Sequence, residues 1–460
     1  MNCLNDFQMI RPVPYMGVIW VNHKAQEMGF VPGDKSWCNL GQGQPEEGLI
    51  EGAPERFTHL ELTCRDYAYG PVGGIPELRQ AVADMMNRLY RVGKVSQYGP
   101  QNVTVAAGGR VALTRLFSIL SSQAKVLYRN PDYTAYEDLM AYQREHLQFV
   151  CENTRPQDGF NVRPERLREL IDTEGVNTFV LSNPNNPTGS LVRGNDLKEY
   201  CRIAREKHML LALDEFYSHY VYEDGEGEGS TVSAARYVED VESDPVIMID
   251  GLTKNLRYPG FRVSWIVGPS RIIEAINRAA SAIDGGTSVP MQRLACEALR
   301  PEAFDEETKA VQRCFAQKRE YVVRRLNDMG IQVTMPPHGA FYVWADISGL
   351  PEPLCVDEDF CLNALEYHVM TIPGRFFDIR PNGDRISPEP MQHFIRFSFG
   401  PKLSVLKEGL DRIEKMVEEG KLSEEKEFYT PLRFRGGKRV ADLAKTGVRY
   451  IELRNIDSVS

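Results

Sequence analysis

Thr178-Phe179-Val180-Leu181 runs directly into Ser182-Asn183-Pro184-Asn185-Asn186-Pro187-Thr188-Gly189. A short apolar run rich in β-formers, bounded by Asn, Pro and Gly, reads as a strand that stops in a rigid turn. An amphipathic stretch, Asp196 to Lys207, follows it. A second apolar run, Leu210-Leu211-Ala212-Leu213, then ends in Asp214-Glu215-Phe216-Tyr217. The alternation extends both ways. Upstream lie Val103-Thr104-Val105, a helical pattern through Leu113, Leu116, Phe117 and Leu120, and Lys125-Val126-Leu127-Tyr128. Downstream lie Val246-Ile247-Met248-Ile249 and Val263-Ser264-Trp265-Ile266-Val267. Strands alternating with helices predict βαβ units: an α/β fold whose mostly parallel sheet is sandwiched by helices. Such a sheet takes its ligands at the carboxyl ends of its strands, so the polar residues after each run are where chemistry belongs.

From about Pro301 the pattern changes to a long polar helix (Glu306 to Met329), strands at Ala340–Trp344 and His393–Ser398, and a helix from Lys402 to Glu418. This predicts a second, smaller α+β domain. The expected division is an irregular N-terminal arm over 1–45, a large domain over 46–300, and a small domain over 301–419 that takes in part of the arm. Residues 420–460 form an extension of unknown role. The acidic, Gly-rich stretch 223–229 is expected to be a solvated loop, and Asp357-Glu358-Asp359 an acidic loop.

Hydrophobic residues make up 42% of the 460 and charged residues 26%, which excludes wholesale disorder. The net charge of −10 argues against a nucleic-acid or anionic-membrane partner, which would call for a basic excess. No apolar run is long enough to span a bilayer, and Met1-Asn2-Cys3-Leu4-Asn5-Asp6 does not begin a secretory leader. The nine cysteines lack any Cys-x-x-Cys pair, which fits reduced thiols in a cytoplasmic protein. The eight histidines show no metal-ligand spacing, so no metal is expected.

Each strand end carries a distinct group. Asn186, flanked by prolines, can hydrogen-bond a ligand oxygen or merely shape a turn. Asp214 can neutralise a cationic ring nitrogen or cap a helix. Lys254, in Asp250-Gly251-Leu252-Thr253-Lys254, would be a surface charge in most settings. In a pocket behind an apolar strand, its amine could form a Schiff base. Gly108-Gly109-Arg110 opens a helix, where backbone N–H groups and the helix dipole favour a phosphate. Taken in order on one sheet, Asn186, Asp214, Tyr217, Lys254 and Arg262 match what pyridoxal phosphate requires.

The ordered strings N-P-N-N-P-T-G (183–189), D-E-F-Y (214–217), T-K with an arginine eight residues after the lysine (253–262), and R-F-S-F-G (396–400) resemble the class I/II aminotransferases. These are fold-type I pyridoxal phosphate enzymes, and the resemblance runs from about Asn39 to about Glu418. It implies an aspartate-aminotransferase-like fold. Lys254 would be the Schiff-base lysine and proton shuttle, Asp214 the partner of the pyridine nitrogen, and Asn186 and Tyr217 the donors to the ring oxygen. Tyr133 would stack on the ring. Gly108, Gly109, Arg110, Thr253 and Arg262 would hold the phosphate, and Tyr69 would reach the phosphate of a neighbouring subunit. Arg396 would grip the substrate carboxylate, with Gly43 and Asn186 beside it. An L-amino acid and a 2-oxo acid are the implied substrates, and a homodimer the implied assembly. Two departures point to an alternative. Gly251 stands where many members carry serine, and Arg257 follows the lysine by three. The string D-G-L-T-K-N-x-R-x-P-G resembles a branch of oxidases, hydroxylases and lyases that act at the α-carbon of a basic amino acid such as arginine.

Overall fold

A computed structural model describes residues 13, 15–222, 228–383, 385–429, 432–435 and 450–453, with secondary structure alone beyond residue 420. Residues 223–227 of the acidic, Gly-rich stretch lie outside the described residues, as does most of 430–460.

The chain opens with α1 (Gly17–Glu27) and β1 (Cys38–Asn39), so the arm expected to be irregular contains a three-turn helix. Val21 and Ala25 bury one narrow face of it, a pattern too short to stand out in the sequence. Next come α2 (Pro76–Tyr90), β2 (Val103–Ala106), α3 (Gly109–Ser118), β3 (Lys125–Asn130), α4 (Ala135–Ala141) and β4 (Gln148–Asn153). They are followed by α5 (Pro164–Glu174), β5 (Thr178–Ser182), α6 (Gly194–Lys207), β6 (Leu210–Asp214), β7 (Val246–Gly251) and β8 (Ser264–Val267). The strands β2 to β8 form one seven-stranded sheet in the order β2-β8-β7-β6-β5-β3-β4. Its pairs are parallel from β4 through β7, whereas β8 runs antiparallel to both β7 and β2. Strand β5 is buried at every position, as expected of a strand covered on both faces. Strand β4 is the sheet edge and half-exposed, and its polar residues kept it from reading as a strand in the sequence.

Helices α7 (Ser270–Ile283) and α8 (Val289–Ala298) lead into α9 (Pro301–Asp328), which starts five residues before its expected first turn because Pro301 can occupy the first helical position. After it come β9 (Tyr342–Asp346), α10 (Asp357–Glu366), β10 (Val369–Met370), β11 (Ile372–Pro373) and β12 (Phe394–Ser398). The elements close with α11 (Leu403–Tyr429), β13 (Leu432–Arg435) and β14 (Tyr450–Leu453). Strands β11, β12 and β9 make a three-stranded antiparallel sheet, and β1 pairs in parallel with β10. Asp357, Glu358 and Asp359 form the first turn of α10 rather than a loop. Acidic groups suit a helix N-terminus, and Arg375 pairs with Asp357 and Glu358. Among the described residues no helix is long and apolar enough to cross a membrane, and the eight described cysteines are unpaired.

Candidate active site

Strand register brings the expected residues together. Ser182 at the end of β5 lies opposite Asp214 at the end of β6, which lies opposite Ile249 of β7. Gly251 pairs with Ser264 across β7 and β8, so residues 252–263 form the loop between two antiparallel strands. Lys254 and Arg262 both belong to that loop. The outcome is a cavity of about 320 Å³ at the strand ends, large enough for a cofactor-sized molecule. Its walls include Arg110, Tyr133, Asn186, Asp214, Tyr217 and Lys254.

The Lys254 amine is pushed down to about 7 by enclosure first, then by the cations Arg396, Arg262 and Arg110. Near neutral pH much of it is therefore the uncharged, nucleophilic form. Its Nζ donates to the Gly43 carbonyl. Asp214 moves the other way, pushed up to about 7 by burial with the neighbouring Asp132 adding to it. The hydroxyl of Tyr136 donates to Asp214 Oδ2 at 3.2 Å, and the Phe216 N–H approaches Oδ1. A buried carboxyl of this kind ionises when a cation sits against it.

Another part of the cavity wall is shaped for an anion. Gly108 has φ +91°, and a Cβ there would lie 1.9 Å from the Arg262 guanidinium. A Cβ on Gly109 would lie 2.5 Å from the Phe216 ring. Only glycine lets the first turn of α3 approach this closely. Arg110 follows, its Nε donating to Tyr133 Oη at 3.3 Å. The Thr253 hydroxyl is buried without a protein partner, and Arg262 at φ +53° donates NH1 to the Pro259 carbonyl. The glycine at 251 has a steric cause. A Cβ there would meet Ser264 Cα and the Val263 carbonyl oxygen, each at 2.6 Å, so β8 leaves no room for serine.

Arg396 sits on β12 with 3% of its surface exposed. Its NH1 donates to Asn186 Oδ1 at 2.8 Å and its NH2 to the Gly41 carbonyl, while Nε has no partner. Its guanidinium lies 4.4 Å from the centre of the Tyr342 ring and 5.0 Å from that of Phe377. Tyr342 in turn meets Tyr217, hydroxyl to hydroxyl, at 2.7 Å. Among the described residues no group of three or more His, Cys, Asp or Glu side chains could hold a metal ion.

One expected site residue, and one residue read as a departure from the family pattern, fall elsewhere. Tyr69 is fully exposed and outside the cavity of its own chain. Arg257, read in the sequence as a mark of arginine-acting enzymes, is buried and turned away from the cavity. Its Nε donates to Glu307 Oε1 at 2.6 Å, and its NH1 to the carbonyls of Glu46 and Gly48 at 2.6 and 2.7 Å. It is a brace between the lysine loop, α9 and the segment after β1. Sequence reasoning missed Tyr342 and Tyr136. The first sits in the continuously buried run Tyr342–Ala345 of β9, and the second lies one helical turn beyond Tyr133; neither belongs to a recognisable chemical string.

The family model for aminotransferase class I and II matches residues 35–413, and the chain belongs to that family. Among curated relatives, the aspartate aminotransferase of Pyrococcus abyssi is 27% identical over 85% of this chain and 94% of its own. The aspartate/prephenate aminotransferase of Thermus thermophilus is 30% identical over 73% of this chain and 85% of its own. Among solved structures, the aspartate aminotransferase of Thermus thermophilus with maleate superposes with a TM-score of 0.71 at 25% identity, covering 89% of this chain and 98% of that one. The protein is a fold-type I aminotransferase, and its relatives support transamination over the oxidase, hydroxylase or lyase alternative.

Proposed function

We propose that this aminotransferase holds pyridoxal 5′-phosphate in the strand-end cavity and moves an amino group from an L-amino acid to a 2-oxo acid. The observation that carries the reading is the pairing, on one cavity, of a Lys254 amine depressed to about 7 with a buried Asp214 carboxyl. The donor set fits the cofactor. The partnerless Thr253 hydroxyl, the Gly108–Gly109 helix start and Arg262 suit a phosphate dianion, and Asp214 suits a pyridinium. When bound, the cofactor supplies an aldehyde that exchanges amines and a ring that draws electrons from the substrate α-carbon.

The chain's own residues would do the rest. Lys254 Nζ holds and moves the proton at the α-carbon. Asp214 keeps a proton on the ring nitrogen. Asn186 and Tyr217 would donate to the ring oxygen, and Tyr133 would cover the ring face. Arg396 offers its free Nε and the rest of its fork to the substrate carboxylate, with Gly43 alongside. The relatives' names make aspartate the first donor to try.

The exposed Tyr69 suits a homodimer in which it enters the neighbour's site. The unpaired described cysteines suit the cytoplasm. The separate seven- and three-stranded sheets support a division near 300, and the β1–β10 pairing puts part of the arm with the smaller unit. The test is absorbance titration of cofactor-free protein with pyridoxal phosphate, with Lys254→Ala as control, followed by anaerobic addition of single amino acids. A Lys254-dependent visible band, and one keto acid released per site without oxygen, are expected. Absence of the band overturns the cofactor reading, and product formation only in oxygen overturns transamination.

A further inference from the structure

The hydroxyls of Tyr217 and Tyr342 lie 2.7 Å apart, and both rings are buried. Only one proton can lie between two such oxygens, so the acceptor's own proton must point elsewhere. The surroundings decide which one that is. Tyr217 lines the cavity, whereas Tyr342 does not. The Tyr342 oxygen is hemmed in by Gly43, where an added Cβ would lie 2.8 Å away, and the Tyr342 ring is covered by the Arg396 guanidinium at 4.4 Å. Of the two phenols, Tyr217 alone has open space into which to aim a proton.

We propose that Tyr342 is a positioning residue of the amino-transfer site: it donates its hydroxyl proton to Tyr217 Oη and thereby turns the Tyr217 proton toward the ring oxygen of the bound cofactor. The inference rests on the cofactor reading above and adds to it a residue that neither touches the cofactor nor belongs to any of the family-like strings.

The electrostatics agree with the geometry. A guanidinium against a phenol ring draws electron density from it and makes its O–H the better donor. Burial pushes both phenols up and Arg396 opposes the rise in both, ranking directly after burial at Tyr342 but behind the neighbouring tyrosines at Tyr217. In a neutral pair the more acidic phenol donates. The other titratable groups facing the pair are Tyr133, Asp214 and Tyr220, whose ring centre lies 6.4 Å from that of Tyr217. A donor that itself accepts a hydrogen bond is strengthened, by roughly 10–30% per bond. Arg396 thus links the substrate-carboxylate end of the site to the cofactor's ring oxygen through two phenols.

The test reads the cofactor-loaded enzyme without substrate, following its visible absorption against pH. A hydrogen bond from Tyr217 stabilises negative charge on the ring oxygen, so weakening that bond raises the ionisation midpoint. Tyr217→Phe is expected to raise it most. Tyr342→Phe is expected to raise it by about 0.3–0.5 unit, and the double variant should sit where Tyr217→Phe sits. Replacing Tyr342 by 3-fluorotyrosine, a more acidic phenol of nearly the same shape, should lower the midpoint, which keeps the question open to test if Tyr342→Phe loads cofactor poorly. An unmoved midpoint in Tyr342→Phe, or an equal shift on the Tyr217→Phe background, overturns the proposal alone. A midpoint that Tyr217→Phe leaves unmoved overturns the assigned role of Tyr217 and the proposal with it.

Discussion

The amine of Lys254 donates to the main-chain carbonyl of Gly43, 211 residues earlier in the chain. The donor lies in the loop between β7 and β8, the acceptor in the segment after β1. That contact joins the lysine to the part of the chain that also carries Gly41, whose carbonyl accepts from Arg396. Lys254 and Arg396 are thereby both anchored on one short stretch of backbone.

The depressed Lys254 makes a pH prediction. In cofactor-free protein, an amine-reactive reagent should label Lys254 with a midpoint near 7, while surface lysines stay largely unlabelled until well above that. The sign for stability follows. Between about 7 and 10.5 the unfolded chain binds more protons at Lys254 than the folded one, so its contribution to stability rises with pH there. Mass spectrometry of peptides labelled across a pH series checks the midpoint.

Gly108→Ala should weaken cofactor binding sharply. Its methyl would collide with the Arg262 guanidinium, and a non-glycine residue at φ +91°, ψ 163° adds strain of about 1–3 kcal/mol. Displacing Arg262 removes a charge-assisted contact of about 1.5–3 kcal/mol, so a 10- to 100-fold loss of affinity, roughly, is expected with the fold retained. Equilibrium dialysis with pyridoxal phosphate reads it directly.

Arg396→Lys keeps the charge and loses the fork. An ammonium has three donors, too few to serve Asn186 Oδ1, the Gly41 carbonyl and both oxygens of a carboxylate as the five-donor fork can. KM for the amino-acid donor should rise roughly 10- to 100-fold, with cofactor affinity little changed. Parallel steady-state kinetics and dialysis separate the two effects.

Introducing at 251 the hydroxyl that the family resemblance leads one to expect should do harm rather than good. Gly251→Ser drives a Cβ into the backbone of Val263 and Ser264, where no flexible side chain can yield. Overpacking of this kind costs about 1–3 kcal/mol. Urea unfolding should show lower stability, and cofactor affinity should not improve.

Arg257→Met leaves Glu307 buried with Arg56 as its remaining cation, at 3.3 Å. Breaking a buried pair on one side costs about 3–5 kcal/mol, and the double variant Arg257→Met with Glu307→Gln should recover part of that loss. Unfolding curves for the two single variants and the double variant give the coupling.

Much of the architecture was legible in the sequence because strands buried on both faces are continuous apolar runs ending in rigid turns, as at Ser182–Gly189 and Asp214–Tyr217. The site was legible for the same reason: its residues stand where those strands stop. What escaped depended on partners distant in the chain. Tyr342 acquires meaning only beside Tyr217, 125 residues away, and Arg257 only beside Glu307, 50 residues on. An arginine in a loop looks like a solvated charge or a substrate contact until its carboxylate is found. Strand β4 was missed because a half-exposed edge does not need an apolar run, and α1 because so few of its residues are buried.

The reversed strand β8 also governs the order in which this sheet can be completed. β2 pairs only with β8, so Val103–Ala106 must wait for Ser264–Val267 before gaining a neighbour. During synthesis from the N-terminus, β3 to β7 can assemble a parallel block while β2 remains unpaired. A ribosome-bound chain stopped after Gly251 would leave β2 open to proteases. Extending it past Val267, with the residues beyond clear of the exit tunnel, should close that window in one step, since both edges of β8 are filled together.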